Sequence, residues 1–83
     1  MRMNCITFRS ITPAQQGQRI LRRGDVEAIL QRTPRAMAEK GCGYCLRLRE
    51  QDCAQAVALL RQAGLQFQKI YAGENGQAEE VVL

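Results

Sequence analysis

Cys42 and Cys45 form the segment Cys-Gly-Tyr-Cys, the one place in this chain where two thiols stand at CxxC spacing. That spacing brings two sulfurs close enough for a disulfide, or for half of a tetrahedral metal site. A zinc site needs four ligands. The chain has four Cys and no His, and no second CxxC. Further ligands would have to come from Cys5, Cys53 or distant carboxylates, or from a second chain, so no resident metal is expected and zinc least fits the pattern. Gly41 and Gly43 flank Cys42. They remove side-chain bulk and leave backbone N–H groups accessible, as a nucleophilic or group-carrying thiol requires. Without histidine there is no imidazole base. A thiolate here has to be stabilised by a helix dipole, by arginine and by exposure.

The elements that would position these thiols can be read from periodicity. Residues 3–9 alternate as a strand, with Ile6 and Phe8 on one face and Cys5, Thr7 and Arg9 on the other. Thr12 can cap a helix that starts at Pro13, runs to about Arg23 with Ala14, Gly17, Ile20 and Leu21 as its apolar stripe, and stops at Gly24. Val26 to Thr33 reads as a second strand ended by Pro34, and residues 34–43 as a connection too long for a tight hairpin. Tyr44 to Arg49 is a third strand, with Tyr44, Leu46 and Leu48 on one face and Cys45, Arg47 and Arg49 on the other. Asp52 with Gln55 three residues on has capping-box spacing, and Cys53, Ala56, Val57 and Leu60 give the second helix its buried stripe up to Gly64. Leu65 to Ala72 reads as a fourth strand.

The order is β-α-β-β-α-β, which predicts an α+β, ferredoxin-like fold: a four-stranded antiparallel sheet in the order 4-1-3-2 with two helices on one face. Residues 1–72 are expected to form this single domain and residues 73–83 a flexible acidic tail. In that topology the start of the third strand lies beside the end of the first. Cys42 and Cys45 then sit near the N-terminus of the first helix, whose partial positive charge favours thiolate. Arg9, Arg35 and Lys40 are the cations that could add to it. Cys53 is expected in the core. Cys5 is expected on the open face of the sheet, with no activating neighbour.

Eighty-three residues hold one small domain, with 46% apolar and 24% charged residues. Two Phe, two Tyr and no Trp do not supply a stacking platform for single-stranded nucleic acid, so nucleic acid is not the expected partner. No apolar run reaches membrane-spanning length and the N-terminus lacks a secretory signal, which points to a cytoplasmic protein with no membrane contact. All twelve Lys and Arg, ten of them Arg, lie in residues 1–72 with five of the eight acids. A basic body of this kind suits an acidic partner or a soluble surface. Thr7, Arg9, Arg47 and Arg49 could form a basic sheet face, and that face could also serve a homodimer.

With these residues placed, the chain resembles a family of small bacterial selenium/sulfur carrier-like proteins over residues 4 to about 72. The resemblance rests on the Ile6-Thr7-Phe8 strand, the Thr33-Pro34-Arg35 step, Gly41-Cys42-Gly43, the Leu46-Arg47 strand and the Gly64 to Tyr71 segment. It implies a carrier in which Cys42 holds a persulfide or selenopersulfide, with Arg35 as the accompanying cation. The atom would come from a cysteine desulfurase-type donor and pass to an acceptor enzyme. Cys45 departs from the family pattern. It could resolve the persulfide and leave a Cys42–Cys45 disulfide, share the load, or bind metal. Two other functions stand beside the carrier: a thiol–disulfide redox module using the CxxC, and a non-catalytic interaction or regulatory domain.

Overall fold

The computed structural model describes residues 2–34, 43–73 and 79–83. Arg35, Lys40, Gly41 and Cys42 therefore lie outside the described residues. The described chain runs β1 (Met3–Phe8), α1 (Ile11–Arg23), β2 (Ile29–Arg32), β3 (Tyr44–Arg49), α2 (Glu50–Gln62), β4 (Ile70–Ala72) and β5 (Glu79–Val81). It is an α+β arrangement with one antiparallel sheet in the order β2-β3-β1-β4-β5. The sheet thus has five strands where four were expected. The first four lie in the expected order. The fifth comes from the segment read as a tail: Ile70 pairs with Val81, Tyr71 with Glu80 and Ala72 with Glu79.

Both helices cover one face. Ala14 and Leu21 of α1, and Cys53, Ala56, Val57 and Leu60 of α2, share a core with Ile6, Phe8, Leu46, Leu48 and Ile70 of the strands. Helix α1 approaches closely because Gly17 has no side chain: a Cβ there would lie 3.1 Å from both Leu46 Cδ1 and Phe8 Cζ. Burial of these aliphatic and aromatic side chains is the main favourable term in the fold, each contributing about 1.5–3 kcal/mol relative to exposure.

Several element ends differ from the sequence reading, each for a local reason. Helix α1 begins at Ile11 after Ser10, two residues earlier than a Thr12 cap implies. At its other end Asp25, not Gly24, takes the left-handed conformation (φ 61°). The Val26 N–H then donates to the Leu21 carbonyl at 2.8 Å, closing a Schellman-type end. This turns Val26 into the core and delays β2 to Ile29. Strand β3 runs straight into α2, with Arg49 at the N-cap position. Asp52 lies inside the first turn, where its carboxylate accepts from Arg49 Nε at 3.2 Å in place of capping backbone. The fourth strand is short, and ahead of it the chain is still held to β1, since the Gln68 N–H donates to the Thr7 carbonyl and the Lys69 carbonyl accepts from the N–H of Thr7, both at 2.8 Å. The Thr7 hydroxyl donates to the Lys69 carbonyl at 3.2 Å and accepts from the Lys69 N–H at 3.1 Å. No helix among the described residues is long and apolar enough to cross a membrane.

Candidate functional site

Strand alternation divides the two central strands between faces. Ile6, Phe8, Leu46 and Leu48 point into the helical layer, so Cys5 and Thr7 of β1 and Cys45 and Arg47 of β3 point to the other side. The register sets Thr7 opposite Cys45 and Cys5 opposite Arg47. On their outer sides, Gln31 of β2 lies opposite Cys45 and Tyr71 of β4 lies opposite Cys5. Cys5 and Cys45 are therefore diagonal neighbours across the β1–β3 ladder. They form a second small cluster with Tyr71 packed against it. Cys45 is wholly enclosed, at 0% exposure, and Cys5 is at 4%. Cys5, Cys45 and Cys53 are free thiols.

The pair divides its protons unequally. Cys45 is held below the ordinary thiol value chiefly by a hydrogen bond from Cys5; Gln31, the Arg47 charge and Thr33 act the same way, while burial opposes them. Cys5 is pushed up, first by its hydrogen bond to Cys45, then by burial and by the charge on Cys45, with Arg47 opposing. Two close thiols in a poorly hydrated site do not both ionise readily, so the first proton to leave the pair comes from Cys45 while Cys5 keeps its own. Thr33 Oγ1 is buried without a hydrogen-bond partner, which leaves its hydroxyl free to donate to a Cys45 thiolate. Diagonal neighbours on antiparallel strands stand about 7–8 Å apart at Cα, beyond the roughly 4.4–6.8 Å that a disulfide closes. The register favours proton sharing over a bridge.

Cys53 behaves differently. It is buried in the helical layer. Burial pushes its thiol up, as does the Glu50 charge, with Asn4 opposing. It is a core side chain without an activated sulfur.

The sequence-derived site is thus reached in part. Gly43 leads directly into β3, and the Phe8–Tyr44 pairing places that entry beside the end of β1, as the topology implied. Cys45 faces away from α1, however. The groups that favour its thiolate are Cys5, Gln31, Arg47 and Thr33, and it is enclosed where exposure was expected. Arg9 is exposed after β1 and is not among those groups. Cys5 faces away from the helices, and its neighbour there, Cys45, pushes its thiol up and so does not activate it. Cys5, Gln31, Thr33 and Arg47 were missing from the expected site. Strand parity held the signal, since Cys5 and Cys45 occupy the same face once the two strands are aligned.

Arg47 also lines an open cleft of about 690 Å³ at the β2 edge, together with Arg22, Arg49 and Ile29. Among the described residues no group of three or more His, Cys, Asp or Glu is placed to hold a metal ion. In comparison with known proteins, the family model described as "Putative Se/S carrier protein-like" matches residues 3–72. No curated protein and no solved structure matches the chain.

Proposed function

Since the chain belongs to the Se/S carrier protein-like family, we propose that it carries sulfur or selenium as a persulfide or selenopersulfide on Cys42. A cysteine desulfurase-type donor supplies the atom and an acceptor enzyme receives it. The protein acts as a carrier, without a stand-alone turnover of its own. In loading, the Cys42 thiolate attacks the outer sulfur of the donor persulfide. A new S–S bond forms at Cys42, and the donor's cysteine leaves as thiolate. Arg35 and Lys40, with the Gly41 and Gly43 backbone, are the groups assigned to the anion so formed. The strand order supports a ferredoxin-like frame with a fifth strand added at its edge.

The observation that carries this reading is the environment of Cys45. Its thiolate is favoured by the Cys5 thiol of β1, the Gln31 amide of β2, the Thr33 hydroxyl just after β2 and the Arg47 charge on its own strand, three residues from the family's thiol. Sulfane sulfur chemistry needs thiolate at neutral pH, and no histidine supplies it.

The test is mass spectrometry of the protein after incubation with a cysteine desulfurase and cysteine. The expected result is a gain of one sulfur on Cys42 that Cys42→Ser abolishes. A Cys42–Cys45 disulfide with no sulfur gain would instead make the protein a redox module.

A further inference from the structure

We propose that Cys5 and Cys45 together form a second chalcogen seat, in which Cys45 accepts the sulfane sulfur of a persulfide and Cys5 is the positioning residue that donates its S–H to the bound anion. The inference deepens the carrier reading and rests on it. Its geometry is independent of Cys42. Two strands place the thiols diagonally on the face away from the helices, Tyr71 packs against the pair, and Gln31 stands opposite Cys45. Thr33 brings a buried hydroxyl with no partner of its own. A simple packed cysteine needs no donors. Here an S–H, an O–H, an amide and a guanidinium converge on one sulfur, which is what an anion bound there requires.

The transfer is balanced. The Cys45 thiolate attacks the outer sulfur of a persulfide, R–S–S⁻ or R–S–SH. A bond forms between Cys45 Sγ and that sulfur, and the R–S bond to it breaks. Its electron pair leaves on RS⁻, which takes up a proton from water, or, from R–S–SH, the proton that the transferred sulfur gives up. No net oxidation occurs. The Cys45 persulfide remains as an anion beside Arg47, with Cys5 still protonated. The lowered value of Cys45 and the raised value of Cys5 agree with this division of roles. Enclosure of Cys45 shields a persulfide held there from soluble reductants.

The experiment uses the full chain as Cys42→Ser, treated with glutathione persulfide and mapped by mass spectrometry. The expected result is one added sulfur on Cys45, lost when Cys45→Ser is added. No gain in Cys42→Ser, with wild type still loading Cys42 from a desulfurase, overturns the second seat and leaves the carrier reading standing. A gain on Cys45 in a protein whose Cys42 never loads sustains the seat and removes the carrier reading. The role of Cys5 is read separately, from the ultraviolet absorbance of the thiolate against pH in the same Cys42→Ser background. Cys5→Ala should move the Cys45 step to higher pH and Cys5→Ser, which keeps a donor, should restore part of the shift. An unmoved step in Cys5→Ala overturns that role. If Cys5→Ala fails to fold by circular dichroism, Arg47→Gln, which alters only a half-buried side chain, must shift the same step upward or the arrangement is wrong.

Discussion

Gly43 passes so close to Phe8 that a Cβ on it would lie 2.9 Å from the Phe8 carbonyl oxygen. Its φ of +153° also belongs to the region that side chains rarely adopt. The Gly43 carbonyl meanwhile accepts from the Thr33 N–H at 3.0 Å, so this residue ties the ends of β1, β2 and β3 together. Gly43→Ala should therefore lower stability by about 2–3 kcal/mol, read as a shift in the urea midpoint. Because β3 starts at the next residue, the thiolate step of Cys45 should move as well. A variant of unchanged stability would show that the close approach is not needed.

Cys53 makes the fold sensitive to alkali. Its thiol is raised in the folded protein by burial first, so below an ordinary thiol value of 9.0 both states are protonated and the effect is absent. Above it the unfolded chain loses a proton that the folded chain keeps, and stability falls with pH, by at most about 1.4 kcal/mol per pH unit. Cys53→Ala should cost about 1 kcal/mol at neutral pH for the lost sulfur. Its stability should then fall less than wild type's toward about pH 10. Parallel pH profiles for the two proteins would contradict this.

Asn4 is a polar residue in the same layer, between Leu48 and Ala72 on its neighbouring strands. It is 3% exposed and its Oδ1 has no hydrogen-bond partner. An unmet buried acceptor costs about 1–3 kcal/mol. Asn4→Val, which also suits a strand, should raise stability by about 1 kcal/mol. It should make the alkaline loss steeper, since Asn4 opposes the rise at Cys53. A destabilised Asn4→Val would mean that the amide forms a bond worth more than its burial costs.

The parts of this fold that were legible in the sequence are those whose cause is a repeating pattern. Tyr44–Arg49 alternates without interruption, and β3 has those bounds. The stripe Cys53, Ala56, Val57 and Leu60 is the buried face of α2. What escaped depends on contacts distant in the chain. Thr7 holds the approach to β4 through hydrogen bonds to Lys69, sixty-two residues away. Strand β5 carries Glu79 and Glu80 and has no apolar alternation; it is fixed by β4, by a Lys69–Glu80 ion pair at 3.2 Å, and next to it by Arg61 donating to the Leu83 carbonyl at 2.8 Å. The thiol pair escaped for a related reason. Cys45 was legible from its spacing to Cys42, but its neighbour Cys5 lies forty positions earlier, and only the register of β1 with β3 joins them.

Thr33 tests the link between that register and stability. Its buried hydroxyl has no hydrogen-bond partner, and a protonated Cys45 offers it only a weak acceptor, so below the Cys45 value Thr33→Val removes an unmet polar group of nearly the same shape. Stability there should rise, by about 1 kcal/mol. A thiol lowered in the folded state contributes stability that is present above its unfolded value and is lost as pH falls through the folded one. Thr33 is one of the causes of that lowering. The gain from Thr33→Val should therefore shrink as pH rises through the Cys45 transition. Urea unfolding of both proteins on either side of the thiolate absorbance step measures this difference. A gain of constant size at every pH would show that the Thr33 hydroxyl does not reach the Cys45 sulfur.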